Sequence, residues 1–203
     1  MQRPVIEFWF DFGSNYSYLS MMRIGHEAAK RDVGIAWKPF MLGAVFKALG
    51  WNGSPFLQQK EKGRYVWRDM ARQCAKYGLP WIRPSTFPRR AVLPHRVALI
   101  AENEPWGADF CKAIMMRNFA EDQEIDSVDA VSDVLITLQL PAHEVIEAAQ
   151  MPANKQRLRE QTAEAQARGV FGAPTFFVGD EMFWGNDRME DALELARSEK
   201  SRR

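Results

Sequence analysis

The sequence has few of the residues on which redox, metal-binding and disulfide-stabilised proteins depend. Its 203 residues include two cysteines, Cys74 and Cys111, and three histidines. The cysteines are far apart, in helix-like surroundings and without Cys-x-x-Cys spacing, so we interpret both as reduced thiols within helices. The histidines share no ligand spacing with one another or with the cysteines. We therefore expect no metal site.

The chain also lacks an excess of charge of one sign and any long apolar run. Lys and Arg number 27 against 26 for Asp and Glu, which argues against a general nucleic-acid-binding protein. No apolar stretch approaches the length needed to cross a bilayer. Pro4 leads directly into a strand-like run containing Glu7, which does not resemble a secretory signal. These absences predict a cytoplasmic protein with neither a nucleic acid nor a membrane as partner.

The apolar residues that are present predict a strand, a helix and a second strand at the start of the chain. Val5–Phe10 is short, apolar and rich in β-branched and aromatic residues, as expected for a buried strand. Apolar residues then recur at helical spacing after Ser14, which is suited to cap the helix. Ile35–Phe40 has the composition of a second strand. This order favours a parallel pair of strands joined by a right-handed crossover.

The middle of the chain shows almost no strand pattern. Ser54 and Pro55 are typical of the cap and first residue of a helix that continues to Gly78, although Gly63 weakens the pattern inside it. Further helical segments are predicted at residues 91–104, 105–120, 127–139, 141–150 and 155–168.

Strand character returns near the C-terminus. Thr175–Val178 and Met182–Trp184 flank a Gly-Asp turn and predict a hairpin, after which Asn186 or Asp187 is suited to cap a final helix. Without the helical stretch, this is the order of a thioredoxin fold. We therefore predict an α/β protein with a thioredoxin-like domain, residues 1–41 and 169–203, and a large all-helical insertion domain, residues 42–168.

The junction between the first strand and the first helix carries two serines, Ser14 and Ser17. In a thioredoxin fold this junction presents a Cys-x-x-Cys pair, because the helix N-terminus stabilises negative sulfur. A serine pair excludes disulfide exchange by this route. A hydroxyl can still donate a hydrogen bond to a thiolate that another molecule supplies, and free amides at the helix start would add positive potential. The alternative is that Ser14 only caps the helix.

A second feature, Pro174, precedes the third strand. Thioredoxin folds place a cis-proline here, opposite the active-site helix, and cis peptide bonds are largely confined to proline. The residue before it, Ala173, would offer its N–H and C=O to an incoming thiol peptide. A proline before a strand is ordinary by itself. Its combination with Ser14 favours a functional site.

Several segments of the chain resemble 2-hydroxychromene-2-carboxylate isomerases, which are related to kappa-class glutathione transferases and to DsbA oxidoreductases. The matching segments are Asp11-Phe-Gly-Ser-Asn-Tyr-Ser-Tyr-Leu19, Tyr65-Val-Trp-Arg-Asp69, Tyr77-Gly-Leu-Pro80, Phe87-Pro88, Gly169-Val-Phe-Gly-Ala-Pro-Thr-Phe176 and Phe183-Trp-Gly-Asn-Asp-Arg188. Two departures stand out. Asn15 replaces the proline usual after the serine, which we expect to alter only the turn. Arg89 and Arg90 stand where smaller polar residues are common, which could change the acceptor pocket.

The resemblance implies glutathione as the cofactor and a small aromatic carboxylic acid as the substrate, with a homodimer as a possible assembly. Ser14 would hold the glutathione sulfur as a thiolate. Ala173, next to Pro174, would pair with the cysteinyl backbone of glutathione. Asn186 and Asp187 would receive its γ-glutamyl end.

Other candidate residues lie in or beside the helical insertion. By resemblance, Asn52 and Lys62 approach glutathione, and Lys47 faces the acidic substrate; each lysine alone could equally be a solvated surface charge. Four aromatic residues could form a wall for a flat substrate or could belong to the core: Tyr16, Trp51, Trp81 and Trp184.

The activity implied by the resemblance is the reversible interconversion of 2-hydroxychromene-2-carboxylate and trans-o-hydroxybenzylidenepyruvate in aromatic hydrocarbon catabolism. In this family chemistry the glutathione thiolate adds to the substrate, allows a former double bond to rotate, and leaves again. Two alternatives stay open. A kappa-type transferase would use the same cofactor site and release a conjugate, whereas a DsbA relative without its sulfurs would only bind peptides or a partner.

Overall fold

A computed structural model describes residues 3–200; residues 1–2 and 201–203, at the ends of the predicted thioredoxin-like domain, lie outside the described residues. The sheet has four strands in the order β2-β1-β3-β4. These are β1 (Val5–Phe10), β2 (Gly34–Pro39), β3 (Thr175–Val178) and β4 (Glu181–Trp184). β1 pairs with β2 in parallel, and β3 is antiparallel to both β1 and β4. The predicted parallel pair, the hairpin and the thioredoxin-like fold are confirmed.

Ten α-helices lie within residues 3–200. They are α1 (Asn15–Lys30), α2 (Leu42–Ala48), α3 (Pro55–Gln58), α4 (Lys60–Tyr77), α5 (Val92–Ile100), α6 (Gly107–Phe119), α7 (Val128–Thr137), α8 (Ala142–Gln150), α9 (Pro152–Ala167) and α10 (Met189–Lys200). Helices α2 to α9 fall between β2 and β3, which is the helical insertion; its limits as a separate domain stay a prediction. In this described part of the chain, no helix is both long and apolar enough to span a membrane.

The predicted helix from Pro55 to Gly78 was wrong in one respect, because it is two helices. Gln59 is extended, with φ −102° and ψ 91°, and separates α3 from α4. Gly63 does not break α4. A Cβ atom at Gly63 would lie 2.3 Å from the carbonyl oxygen of Phe56, so the missing side chain allows α4 to pack closely against α3. Gly78 ends α4 in the left-handed conformation, as predicted.

Strand β1 is buried on both faces and fixes the start of the site. Ile6, Phe8 and Phe10 alternate onto the face that belongs to the main core, whereas Trp9 packs on the other face against Phe40. These four side chains are fully buried. Burial of each contributes about 1.5–3 kcal/mol, so the end of β1 has little freedom to move.

The final helix, α10, packs one face against the main core. Met189, Ala192, Leu193 and Ala196 are all at most 1% exposed and belong to the main core. Helix α10 contacts α1 and β3, so the two ends of the chain close around one sheet.

Candidate functional site

Ser14 lies at the N-terminus of α1 and contacts the loop before β3. Its Oγ accepts a hydrogen bond from the Ser17 N–H at 3.2 Å, which confirms the predicted cap. The same hydroxyl donates to the carbonyl oxygen of Ala173 at 2.8 Å, across 159 residues of sequence. The structure therefore brings together the two segments that the sequence singled out. We call Ser14 and Ala173 the inner pair.

The loop that carries Ala173 is held on its other side by β4. The Ala173–Pro174 peptide bond is cis, as expected from the fold. The Gly185 N–H donates to the Pro174 carbonyl oxygen at 3.0 Å, and the Thr175 hydroxyl donates to the Gly172 carbonyl oxygen at 2.9 Å. These bonds fix the backbone next to the inner pair.

The tip of α1 is electrically suited to an anion. Its first turn contains no acidic residue. Within residues 3–200, the N–H groups of Asn15 and Tyr16 have no hydrogen-bond acceptor. Such free amides and the helix dipole together act as about half a positive charge at the helix start. A thiolate beside Ser14 would be stabilised by this potential.

The side chain of Asn186 is hydrogen-bonded to α1, farther along the helix from Ser14. Its Oδ1 accepts hydrogen bonds from the Ser20 hydroxyl at 3.1 Å and from Arg23 Nη1 at 3.2 Å, so its side chain is not the cap of α10. Ser20 follows Ser14 by about 9 Å along the axis of α1. Asp187 is exposed and forms an ion pair with Arg188 at 3.1 Å. Both predicted γ-glutamyl residues lie in the short 3-10 turn Asn186–Arg188, which packs against α1, the helix that Ser14 caps.

Tyr16 and Lys62 are linked through Phe56. The Tyr16 ring packs edge-on against Phe56, with 6.3 Å between centroids, and Lys62 Nζ lies 5.9 Å from the centroid of the same Phe56 ring. The Tyr16 hydroxyl donates to Asp69 Oδ2 at 2.8 Å. Burial and this bond raise the pKa of Tyr16 above its ordinary value, so the phenol stays protonated. Its hydroxyl is therefore engaged, and only its ring is available as a wall.

Four predicted residues lie on one exposed stretch of the insertion, which we call the rim: Lys47, Trp51, Asn52 and Lys62. The Trp51 ring packs on Phe46, with 5.1 Å between centroids. Neither rim lysine forms an ion pair with any described residue. No hydrogen bond joins a rim residue to the inner pair. The rim is connected to the site only through neighbouring elements.

The two remaining tryptophans have different environments. Trp81 stacks between Trp67 and Phe119 at the edge of the main core, which favours a structural role. Trp184 is 51% exposed and packs against Phe171, with 4.9 Å between centroids. A Cβ atom on Gly172 would lie 2.2 Å from the Trp184 Nε1, so this indole covers the loop that carries Ala173.

Sequence reasoning missed the role of Asp11. Its Oδ1 accepts the Gly13 N–H at 2.7 Å, and its Oδ2 accepts the Leu42 N–H at 2.8 Å. One carboxylate therefore joins the Ser14 loop to the start of α2, which leads to the rim. A signal was present, because Asp two residues before Gly commonly accepts such a local turn bond. The partner on α2 could not be read from the sequence.

The two arginines that depart from the family pattern do not carry free charge into a pocket. The Arg89 side chain is 9% exposed and pairs with Asp122, and Arg90 pairs with Asp126 at 3.0 Å. The Phe87–Pro88 bond just before them is also cis. A change in the acceptor pocket stays a prediction, while the carboxylate partners favour a structural role for both arginines.

The fold and the inner pair define a class: a thioredoxin-fold protein in which a serine stands at the helix tip where a redox cysteine would act. Residues 5–196 match the family model of the DSBA-like thioredoxin domain, and the chain belongs to that family. Within it the chain is 29% identical over 185 residues to a 2-hydroxychromene-2-carboxylate isomerase of Sphingobium xenophagum, covering 91% of this chain and 94% of the relative.

Two further comparisons agree with this placement. A solved structure of 2-hydroxychromene-2-carboxylate isomerase has a TM-score of 0.86 at 29% identity, covering 98% of this chain and 96% of that one. Glutathione S-transferase kappa 2 of Caenorhabditis elegans is 25% identical over 207 residues, 95% of this chain and 92% of the relative. The resemblance predicted from the sequence is confirmed.

Proposed function

We propose that this protein is a glutathione-dependent isomerase that interconverts 2-hydroxychromene-2-carboxylate and trans-o-hydroxybenzylidenepyruvate. The observation that carries the proposal is the inner pair. The Ser14 hydroxyl lies 2.8 Å from the Ala173 carbonyl oxygen, at an amide-rich helix tip beside a cis-proline. The relatives named as isomerases support the choice of reaction. A cytoplasmic location and a homodimer belong to the same proposal.

The residues at the site fit glutathione. Ser14 has a hydroxyl that can turn from the Ala173 carbonyl to a sulfur, and the amides of Asn15 and Tyr16 have no acceptor among residues 3–200. Release of the Ala173 carbonyl would at the same time free it to accept a peptide N–H. Asn52 and Lys62 would approach the tripeptide from the insertion, and Asn186 and Asp187 from the start of α10. The cationic Lys62 suits a carboxylate of the tripeptide.

When bound, glutathione would supply a thiolate, which is the reactive nucleophile in the proposed chemistry. The chain's own part is to bind, orient and stabilise. Ser14 donates a hydrogen bond and the tip of α1 lowers the free energy of negative charge, so a greater fraction of thiol would be ionised near neutral pH. Lys47 would orient the acidic substrate, and Tyr16 and Trp51 would contact its ring.

A kappa-type transferase activity is the second candidate, because the chain is also 25% identical to a kappa glutathione transferase. The cofactor site would be the same in both cases. The two differ in the product, since a transferase releases a glutathione conjugate and an isomerase regenerates free glutathione.

Two measurements test the proposal in sequence. Calorimetric titration with glutathione should show binding; no binding would contradict both enzyme functions and leave a DsbA-like binding protein. In the second measurement, the protein and a catalytic amount of glutathione are mixed with 2-hydroxychromene-2-carboxylate, and the ultraviolet spectrum should change as the acid is isomerised. Conjugation of a chloronitrobenzene without isomerisation of the chromene acid would favour the transferase.

A further inference from the structure

The backbone that leads to Ser14 is held by a side chain from the helical insertion. Asn118 on α6 is 1% exposed, and its Nδ2 donates to the Phe12 carbonyl oxygen at 2.9 Å. Phe12 is fully buried and lies two residues before Ser14. A buried carbonyl that loses its donor is costly, so this bond restrains the loop at a specific place.

Arg89 determines which way the Asn118 amide points. Its Nη1 donates to Asn118 Oδ1 at 2.9 Å and to the Asn118 carbonyl oxygen at 3.3 Å. A guanidinium has only donors, so the amide oxygen must face Arg89 and the amide nitrogen must face Phe12. The second nitrogen, Nη2, donates to the Asp122 carbonyl oxygen at 3.0 Å and also pairs with the Asp122 carboxylate. Arg89 is thereby fixed as well.

The segment that carries Arg89 also touches the loop directly. A Cβ atom on Gly13 would lie 3.0 Å from the Arg89 carbonyl oxygen and 3.3 Å from the Pro88 Cβ. The absence of a side chain at Gly13 is what permits this close contact. A displacement of the Arg89 segment would therefore be transmitted to the residue next to Ser14.

We propose that Asn118 is a positioning residue for Ser14 and that Arg89 orients it, so that the helical insertion sets how well the tip of α1 stabilises a thiolate. The inference rests on the proposed function, which assigns Ser14 to a sulfur. Hydrogen-bond donors stabilise a developing or bound anion only when they are held within a few tenths of an ångström of the right place. Loss of the Asn118 bond would loosen that geometry.

A sulfur introduced at position 14 tests the inference without glutathione. In a Ser14→Cys background, the pH dependence of alkylation by iodoacetamide, followed by mass spectrometry, reports the pKa of the introduced thiol. Burial raises the pKa of Cys74 to about 11 and raises that of Cys111 as well, so both native thiols stay protonated at neutral pH. The introduced thiol should titrate below the ordinary value of about 8.5.

Two further substitutions are then added singly, and neither adds or removes charge. Asn118→Leu removes the donor to Phe12, and we expect alkylation at pH 7 to slow about fivefold to tenfold as the thiol pKa rises. Arg89→Lys keeps the charge but cannot hold Asn118 with one nitrogen and Asp122 with another, and the expected slowing is about twofold to threefold. If Asn118→Leu does not fold, Arg89→Lys still tests the inference.

Asn154→Leu is the matched control. Asn154 is also a buried asparagine at 5% exposure, and its Nδ2 donates to the carbonyl oxygens of Arg96 at 2.9 Å and Ala149 at 3.2 Å, away from the Ser14 loop. The Asn154→Leu substitution should lower the melting temperature and leave the pKa of the introduced thiol unchanged. The inference is overturned if this control shifts the thiol pKa by the same amount, or if neither Asn118→Leu nor Arg89→Lys shifts it.

The outcome is separable from that of the proposed function. If the thiol pKa shifts as expected but wild-type protein gives no heat with glutathione, positioning of residue 14 stands and the proposed function fails. If wild-type protein binds glutathione but the thiol pKa does not change when Asn118 or Arg89 is replaced, the proposed function stands and the positioning role fails.

Discussion

The inner pair and the rim differ in how the chain constructs them. Ser14 and Ala173 come from segments 159 residues apart, contact each other directly, and are surrounded by hydrogen bonds to the backbone. The rim comes from one continuous stretch, is exposed, and leaves its two lysines without carboxylate partners among the described residues. At the inner pair, stability and the proposed function would involve the same residues. At the rim they are separate, so changes there should alter binding and leave folding intact.

The largest effect is expected at the inner pair itself. Under the proposed function, Ser14→Ala removes the hydroxyl that would donate to the thiolate, and removal of such a donor lowers catalytic rates by about a hundredfold to a thousandfold. The expected result is a loss of that order in kcat/KM for the chromene acid, with a raised pKa of bound glutathione. Steady-state kinetics and thiolate ultraviolet absorbance measure the two quantities.

Ser17→Ala is the control for this change. Ser17 lies one turn farther along the same helix, is fully buried, and its hydroxyl has no hydrogen-bond partner among the described residues. Its removal should change kcat/KM by less than about threefold, since no bond is lost. Equal losses from both substitutions would contradict the special role of the inner pair.

The next largest effect concerns Asp11, which connects the two regions. Asp11→Ala leaves the N–H groups of Gly13 and Leu42 without their acceptor. Hydrogen bonds to charged groups contribute about 1.5–3 kcal/mol each, so the free energy of unfolding should fall by about 3 kcal/mol or more. Denaturant unfolding measures it. Asp109→Ala, an exposed aspartate on α6, should change stability by less than about 0.5 kcal/mol.

A smaller, purely functional effect is expected at the rim. Lys62→Gln should weaken glutathione binding about fivefold to tenfold, because the proposed charged hydrogen bond to a carboxylate of the tripeptide would be lost. The free energy of unfolding should stay within about 0.5 kcal/mol of wild type. Calorimetry and denaturant unfolding on the same samples give both values. Lys60→Gln, two residues away on the same helix, should change neither the affinity nor the free energy of unfolding. A similar loss of affinity in this variant would mean that the rim attracts glutathione only through nonspecific charge.

The difference between the regions also explains what could be predicted from the sequence. The strand-to-helix junction at Ser14 and the proline at 174 are fixed by fold geometry, so a chain that follows the thioredoxin order must bring them together. The roles of Asp11, Asn118 and Arg89 could not be predicted, because their partners are backbone groups that only the tertiary structure brings near. The break at Gln59 was missed for a related reason: the close packing of α3 on α4 overrides a continuous helical pattern.

The smallest effect is expected at Tyr16, which lies between the inner pair and the rim. Tyr16→Phe keeps the ring against Phe56 and removes the hydrogen bond to Asp69, a loss of about 1 kcal/mol in the free energy of unfolding at pH 7. Burial and that bond raise the pKa of Tyr16, so the folded protein holds the phenol proton more tightly than the unfolded chain. This stabilisation is complete below about pH 10 and is lost as the pH rises through the raised pKa of the folded state.

Tyr16→Phe should therefore reduce the loss of stability above pH 10, because the variant has no phenol to ionise at this position. Tyr18 serves as the internal comparison, since burial also raises its pKa and its hydroxyl donates to the Pro80 carbonyl oxygen at 2.6 Å. Tyr65→Phe, at a residue that is 59% exposed, should leave the alkaline curve unchanged. A Tyr16→Phe curve that follows wild type at every pH would mean that the bond to Asp69 does not hold α1 to α4.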